Sequence, residues 1–276
     1  MKIVSWNMKL NGNQQKAWQM LRDMNADFAL LQEVRKPPAG VSDWAELDPE
    51  PWRIAAHTDN WRTAIARLSD RFEVDWIPGV SIPEAGPRDF SVSRPGSIIA
   101  ASVKRQNRAP LVLVSMYSVW ERKAQVASAN SKIMAVSSAH RMISDLSRLV
   151  GGNTHLIAAG DLNVWNIRGE PAPFKHLEGG GANYQTVFDR MAAIGVPFVG
   201  PHGAEAGRQP EYASTRRAGN VVTFQLAGNP SEATREQQLD FVFATKKVHP
   251  LAVRALNDPH DWGPSDHCRI LVEIDK

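Results

Sequence analysis

The sequence predicts an α/β fold in which two mixed, mainly antiparallel sheets pack face to face with helices outside. Short apolar runs rich in Val, Ile and aromatic residues recur along all 276 residues, as strands do. Most of these runs follow one another without an intervening helix, which favours antiparallel or mixed sheets packed on each other. No linker divides the chain, so we expect one domain over residues 1–276.

The predicted strands alternate with stretches rich in Pro, Gly and charged residues. Eleven apolar runs are predicted strands, near residues 2–7, 27–34, 53–57, 62–68, 72–77, 97–104, 111–117, 155–160, 220–225, 239–244 and 267–274. Four intervening stretches are predicted loops, at residues 35–52, 78–96, 165–183 and 200–219.

Helical spacing of apolar residues predicts three helices, over residues 14–24, 124–149 and 184–194. The first has Asn13 as a candidate N-cap, and Trp18 and Leu21 lie on one stripe of it. The third is followed by Gly195 and Pro197, which commonly end helices.

Composition excludes several protein classes. The 43% apolar and 22% charged residues are those of a globular protein, not of a disordered chain, a coiled coil or collagen. No apolar run approaches the roughly 18 residues of a membrane span. A strand begins directly after Met1 without a leader, and the single cysteine, Cys268, cannot form an internal disulfide, so we expect a cytoplasmic protein. The net charge of +3 is compatible with a nucleic-acid partner.

Polar residues follow or interrupt several of the apolar runs, where an unpaired carboxylate would be costly to bury. These residues are Asn7, Glu33, Asp161, Asn163, Asp240, Asp266 and His267. Any one of them is explained as a turn residue or a cap, but their number favours a common site. Asp161 and Asn163 are two residues apart, so in an extended chain they would point to the same side.

Carboxylate and amide oxygens dominate this set, which contains one histidine and no cysteine cluster. Hard oxygen ligands suit Mg²⁺ or Mn²⁺ better than Zn²⁺. Mg²⁺ usually keeps waters and phosphate oxygens as its other ligands. The pattern therefore indicates phosphoryl chemistry that depends on a divalent metal.

Six motifs carry a resemblance to a known superfamily. In chain order they are Ser5-Trp6-Asn7, Leu31-Gln32-Glu33, Met116-Tyr117, Gly160-Asp161-Leu162-Asn163, Leu239-Asp240-Phe241 and Ser265-Asp266-His267. The chain resembles the endonuclease/exonuclease/phosphatase superfamily, which includes deoxyribonuclease I and the abasic-site endonucleases. The resemblance spans residues 5 to 267 and implies a four-layer α/β sandwich.

The resemblance also implies a role for each residue. Glu33 would be the main Mg²⁺ ligand, supported by Asn7 and Asp266, and Mn²⁺ could substitute. Asp161 would orient and deprotonate the attacking water, and Asn163 would bind the phosphate or the water. Tyr117 and His267 would contact the phosphate, while Asp240 would orient His267 and favour its protonated form.

The sequence departs from the abasic-site branch in three places. Trp120 stands where those enzymes usually have Asn or Gln, three residues after the tyrosine. Residues 164–170 lack their Asp-Leu/Ile-x-Asn-Pro segment, and Gln237-Gln238-Leu239-Asp240 replaces their Trp-Arg-Leu/Ile-Asp. The chain is therefore not a close match to that branch.

We expect a nuclease that acts on DNA. Two segments mix basic and aromatic residues, and they offer Arg122, Lys123, Arg216 and Arg217 as candidate contacts to a nucleic-acid backbone. A nucleotide or phosphorylated lipid head group is the alternative substrate, and a non-catalytic nucleic-acid-binding module is the third hypothesis. Strongly salt-dependent binding of nucleic acid separates the first from the second.

Overall fold

The structure is a computed structural model. It describes residues 1–9, 14–49, 60–122, 133–164, 180–211, 220–226 and 236–275. Within these ranges lie three α-helices, namely α1 (Gln14–Asp23), α2 (Val136–Leu146) and α3 (Gly180–Ala193). Short 3₁₀ turns occupy Val41–Asp43, Ser147–Leu149 and Ala204–Ala206. A membrane-crossing helix would have to be longer and more apolar than any found in the described part of the chain.

The described strands are numbered in chain order. They are β1 (Lys2–Asn7), β2 (Phe28–Arg35), β3 (Glu46–Leu47), β4 (Trp61–Arg67), β5 (Val74–Ile77), β6 (Gly79–Ser81), β7 (Phe90–Val92), β8 (Ile98–Arg105), β9 (Arg108–Tyr117), β10 (Glu121–Arg122), β11 (Ile133–Met134), β12 (His155–Asp161), β13 (Phe198–Gly200), β14 (Phe224–Gln225), β15 (Glu236–Gln237), β16 (Asp240–Ala244), β17 (Ala252–Leu256) and β18 (Arg269–Glu273).

Two six-stranded sheets form the body of the fold. Sheet A has the strand order β17-β18-β1-β2-β4-β3, and sheet B has the order β13-β16-β12-β9-β8-β5. Each sheet contains one parallel pair, β1 with β2 and β9 with β12, and its other pairs are antiparallel. The prediction of mixed, mainly antiparallel sheets is confirmed.

Three apolar clusters divide the molecule into layers. The inner faces of the two sheets share a buried cluster that includes Ile3, Leu30, Leu113 and Ile157. The outer face of sheet A packs on α1, and the outer face of sheet B packs on α2 and α3. The order is therefore helix, sheet, sheet and helices, which agrees with the predicted four-layer sandwich. A single domain over residues 1–276 stays a prediction.

The alternation of side chains explains where the polar residues lie. Along β12, Ile157 and Ala159 face the inner layer, whereas Leu156 and Ala158 face the helices. Continuing this period of two places Asp161 on the inner side. The same alternation applies to β1, β9 and β16, so the inner apolar layer ends in polar side chains at one end of both sheets.

A β-bulge in β2 changes this alternation of side chains at Gln32 and Glu33. Leu31 pairs with Ala64 and Val34 pairs with Arg62, so β2 has one more residue than β4 over this interval. Glu33 has a φ of 49°, in the left-handed region. The extra residue lets both Leu31 and Val34 pack on the outer face. Gln32 and Glu33 are thereby free to bond within the space between the sheets.

Several predicted elements differ from the structure. The helix predicted over 124–149 begins only at Val136, because Ile133–Met134 pairs with Glu121–Arg122 as a strand, and residues 124–132 lie outside the described residues. Of the strand predicted over 220–225, only Phe224–Gln225 is a strand. The predicted strand over 53–57 also lies outside the described residues. Ala252–Leu256 was not predicted as a strand.

Candidate active site

The eight polar and aromatic residues predicted to form the site meet at one end of the two sheets. Asn7, Glu33 and Tyr117 lie in or at the ends of β1, β2 and β9, and Asp161 ends β12. Asp240 opens β16 and is the register partner of Asp161. The remaining three, Asn163, Asp266 and His267, lie in the loops beside these strands.

The side chain of Asn7 joins two carboxylates. Its Nδ2 donates to Asp161 Oδ2 at 3.0 Å and to Glu33 Oε1 at 3.3 Å. Its Oδ1 accepts a hydrogen bond of 2.9 Å from the backbone N–H of Lys9. Asn7 is completely buried, so this one amide fixes the relative positions of two acidic groups that come from different sheets.

Asp161 is buried, and its burial is the main reason that the pKa of its carboxyl is raised to about 7. The negative charges of Asp240 and Glu33 raise the pKa further, whereas His267 and the backbone N–H of Asn163 lower it. A carboxylate with a pKa near neutrality can accept a proton from water, as a general base must.

The Gly-Asp-Leu-Asn motif forms a turn, and this corrects the sequence-based argument for Asn163. We expected Asp161 and Asn163 to face the same side of an extended chain, but Asn163 has a φ of 49°. Its backbone N–H donates to Asp161 Oδ1 at 2.8 Å, and its Nδ2 donates to the carbonyl of Ser118 at 3.0 Å. A local Asx-type turn therefore brings the two side chains into one site.

Gly160 permits the close approach of β9 to β12 just before this turn. Its φ is 154°, and a Cβ at this position would lie 1.8 Å from the carbonyl oxygen of Met116. Any larger residue would collide with the neighbouring backbone. The glycine therefore decides how closely Asp161 approaches Tyr117, its register partner on β9.

His267 lies between two acidic side chains. Its Nδ1 is 2.8 Å from Asp240 Oδ2, and its Nε2 is 3.8 Å from Asp161 Oδ2. Burial by itself lowers the pKa of His267, but Asp240, Asp161 and Asp266 outweigh burial and raise the pKa to about 10. The imidazole is therefore a cation at neutral pH, with Nδ1–H donating to Asp240.

Serine and threonine side chains position the loop that carries His267. Ser265 Oγ donates to the carbonyl of Asn7 at 2.7 Å and accepts the backbone N–H of His267 at 3.0 Å. Thr223 Oγ1 accepts the backbone N–H groups of Leu239 and Asp240, at 2.9 and 3.0 Å. The contacts of Ser265 connect the loop of His267 to β1. The contacts of Thr223 connect the start of β16, at Asp240, to the residue that precedes β14.

Tyr117 completes the site from the side of β9. Glu33 and Asn163 are close enough to its hydroxyl to affect its pKa. Burial, followed by the charges of Glu33 and Asp161, raises the pKa of Tyr117 well above its usual value. The phenol is therefore neutral and can donate a hydrogen bond. Its ring packs edge-on against Trp61, with 5.2 Å between the ring centroids.

Gln32, the neighbour of Glu33, links the two sheets beneath the site. Its Nε2 donates to Ser115 Oγ at 3.0 Å, and Ser115 Oγ donates to the carbonyl of Leu31 at 3.1 Å. All three residues are buried. The Gln-Glu motif thus combines a structural residue between the sheets with an acidic residue at the site.

Asp266 is partly exposed and forms an ion pair of 2.6 Å with Lys9 Nζ. A second group of potential metal ligands within the described residues consists of Asp258, His260 and Asp261, whose ligand atoms lie within 4.8 Å of one another. None of these three residues was predicted to belong to a site. Asp258 and His260 are exposed, and Asp261 is partly buried.

Four basic residues were predicted to contact a nucleic-acid backbone. Lys123, Arg216 and Arg217 lie outside the described residues, and only the backbone of Arg122 is described, in β10. Trp61, Thr223 and Lys9 also support the site, although they were not predicted to do so. No motif marks them, because a Trp in a strand and a Thr before one are ordinary core residues.

Comparison with known protein families and with curated proteins found no match. Solved structures do match. An AP endonuclease from Archaeoglobus fulgidus has a TM-score of 0.68 and 17% identity, with 100% of both chains covered. The AP endonuclease LMAP from Leishmania major has a TM-score of 0.66 and 18% identity, covering 100% of this chain and 87% of that one.

A third match is the 3′ phosphatase NExo from Neisseria bound to a product DNA hairpin, with a TM-score of 0.63, 16% identity and 100% of both chains covered. At these identities the likeness concerns the fold. Together with the two six-stranded sheets and their outer helices, it confirms the predicted architecture. The chain has the deoxyribonuclease I-like fold that these solved structures share.

Proposed function

We propose that this protein is a divalent-metal-dependent hydrolase of phosphate ester bonds in nucleic acid, with DNA as the favoured substrate. The observation that carries the proposal is the position of Asp161, whose carboxylate lies 3.0 Å from the Asn7 amide and 3.8 Å from the His267 imidazole. A base with a pKa of about 7 thus adjoins an imidazole that is a cation at neutral pH. Both accelerate the hydrolysis of a phosphate ester, because the base takes a proton from the attacking water and the cation stabilises negative charge on the phosphate.

The donor set fits Mg²⁺ or Mn²⁺. Glu33 is only partly buried, and its carboxylate shares the amide of Asn7 with Asp161, so hard oxygen atoms are concentrated here. The charge of Glu33 contributes to the raised pKa of Asp161, a repulsion that a cation would relieve. Glu33 would be the main ligand, with Asn7 and Asp266 in support. A bound divalent ion would neutralise charge on the phosphate and assist the attack of water.

The residues of the chain have separate tasks in this proposal. Asp161 accepts the proton of the attacking water while the water oxygen bonds to phosphorus. The bond from phosphorus to the leaving oxygen breaks on the opposite side. The cationic Nε2–H of His267 donates to a phosphate oxygen and stabilises its growing negative charge, and Asp240 keeps the ring protonated. Tyr117 and Asn163 donate further hydrogen bonds that position the phosphate.

The fold neighbours support a nucleic-acid substrate. Two are AP endonucleases, and the third is a 3′ phosphatase bound to a DNA hairpin. Trp120 and Gln237-Gln238 depart from the abasic-site pattern, so we propose a DNA nuclease whose specificity differs from that branch. A nucleotide or lipid head-group phosphatase remains the alternative, and it predicts weak nucleic-acid binding with little dependence on salt.

Nicking of supercoiled plasmid by the purified protein tests this proposal. We expect nicking in Mg²⁺ or Mn²⁺, none in EDTA, and a loss of about 10²- to 10⁴-fold in Asp161→Asn. Asp189→Asn is the matched control, because it makes the same chemical change on an exposed face of α3. Metal-dependent nicking that survives in Asp161→Asn would contradict the role of Asp161. If folded wild-type protein does not nick, DNA is the wrong substrate.

A further inference from the structure

Large exposed apolar side chains are few in the described part of the chain. Four stand out, and they are Ile82, Trp120, Leu226 and Leu251, with exposed fractions of 41–68%. Two of the four directly follow segments that are hydrogen-bonded to the candidate active site. Trp120 is 48% exposed and follows β9, whereas Leu226 is 41% exposed and follows β14.

The chain leading to Trp120 is bonded directly to the catalytic turn. The backbone N–H of Ser118 donates to the carbonyl of Asp161 at 2.9 Å, and the carbonyl of Ser118 accepts Asn163 Nδ2 at 3.0 Å. The backbone N–H of Val119 donates to Ser138 Oγ at 3.1 Å. Hydrogen bonds therefore hold the backbone that directly precedes Trp120. The Cα atom of Trp120 lies at most about 7.6 Å from that of Ser118, because consecutive Cα atoms are about 3.8 Å apart.

The chain leading to Leu226 contacts the segment that carries Asp266 and His267. The backbone N–H of Gln225 donates to the carbonyl of Asp266 at 2.8 Å, and the ring of Phe224 lies 4.9 Å from that of His267. One exposed apolar residue thus stands beside the Asp161 and Asn163 turn, and another stands beside Asp266 and His267. The two exposed apolar residues are therefore joined, within one or two residues along the chain, to backbone that is hydrogen-bonded to the segments that carry the charged side chains.

A nucleic acid offers a matching arrangement, since a charged phosphate is flanked by planar apolar bases. We propose that Trp120 stacks on an unpaired nucleobase next to the scissile phosphate, and that the enzyme therefore prefers single-stranded or locally unpaired nucleic acid. This inference rests on the proposed function. Bases in a duplex already stack on their neighbours, whereas an unpaired base can present its whole face to an indole.

Binding of oligodeoxynucleotides tests the inference. A fluorescein-labelled single strand, its matched duplex, and a single strand of the same length made of abasic nucleotides are titrated in EDTA. We expect Trp120→Ala to weaken binding of the normal single strand at least about fivefold, the lower end for one lost base stack. Binding of the duplex and of the abasic strand should change less than twofold, and Trp120→Phe should bind nearly as well as wild type.

Leu251→Ala is the matched control, because Leu251 is 68% exposed and precedes β17, whose Ala252 pairs with Glu273 at the opposite end of β18 from His267. We expect this variant to bind like wild type. Equal losses on all three DNAs, or none on the single strand, would overturn the role of Trp120. If wild type cleaves DNA with metal while Trp120→Ala is unaffected, only this inference fails. If wild type neither binds nor cleaves any DNA, the proposed function fails with it.

Discussion

The imidazole Nδ1 of His267 lies 2.8 Å from Oδ2 of Asp240, and both side chains are buried. Of the charges that raise the pKa of His267, that of Asp240 is the largest. This contact therefore decides whether the ring is a cation when substrate is present. It also makes the charge of His267 dependent on a residue 27 positions away.

We expect Asp240→Asn to narrow the pH range of activity. Without the carboxylate the pKa of His267 falls from about 10, so the ring loses its proton at a lower pH. The high-pH limb of kcat/KM should move towards neutrality, with a loss of at least about tenfold at pH 9. Titration of the His267 ring by NMR measures the pKa directly. An unchanged high-pH limb would show that Asp240 does not control the charge of His267.

Stability should depend on pH through the same residue. The folded pKa of His267 lies above its ordinary value of 6.5, so its contribution is fully present below about pH 6.5 and is lost as the pH rises towards 10. Urea midpoints of wild type and His267→Gln, measured in EDTA from pH 6 to 10, should converge as the pH rises. A constant difference across this range would contradict the raised pKa.

Asp161→Asn should not cost stability, although it removes activity. The folded pKa of Asp161 is about 7 against an ordinary value of 3.8, so its ionisation opposes folding increasingly between these values and fully above pH 7. At pH 8 in EDTA we expect an unchanged melting temperature or a rise of a few degrees, at roughly 2–4 °C per kcal/mol. A marked fall would mean that the carboxylate mainly stabilises the fold.

Glu33→Ala should raise the Mg²⁺ concentration needed for half-maximal activity at least about tenfold, because it removes the carboxylate proposed as the main ligand. A metal titration of plasmid nicking measures this. Glu73→Ala is the control, since Glu73 is exposed and pairs with Lys104. Identical titration curves for Glu33→Ala and wild type would exclude Glu33 as the main ligand.

Gly160→Ala should damage the fold itself. The added methyl group would lie 1.8 Å from the carbonyl oxygen of Met116, at a φ of 154°. We expect a loss of at least about 3 kcal/mol or a failure to fold, measured by urea denaturation. Gly152→Ala is the control, because no heavy atom lies within 4 Å of the added carbon there. A stable Gly160→Ala protein would contradict the close approach of β9 to β12.

Sequence patterns predicted the long strands of the two sheets more accurately than the short strands outside them. Long apolar runs such as Leu111–Tyr117 specify strands by local composition, and burial of both faces leaves them few alternatives. The two-residue strand Ile133–Met134 was instead assigned to a helix, because its existence depends on pairing with Glu121–Arg122 across the chain. A strand of two residues leaves no recognisable pattern in the sequence around it.

The site shows the same division. Polar residues at the ends of apolar runs, together with six motifs in a fixed order, were sufficient to select Asn7, Glu33, Asp161, Asp240 and His267 as candidates, since both can be read from the chain itself. Only the tertiary structure decided that Asn7 is hydrogen-bonded to Asp161, 154 positions away in the chain. The packing of Trp61 on Tyr117 and the β-bulge that turns Glu33 towards the space between the sheets are likewise tertiary features. The pKa values of Asp161 and His267 also belong to the folded state, because burial and neighbouring charges exist only after distant segments meet.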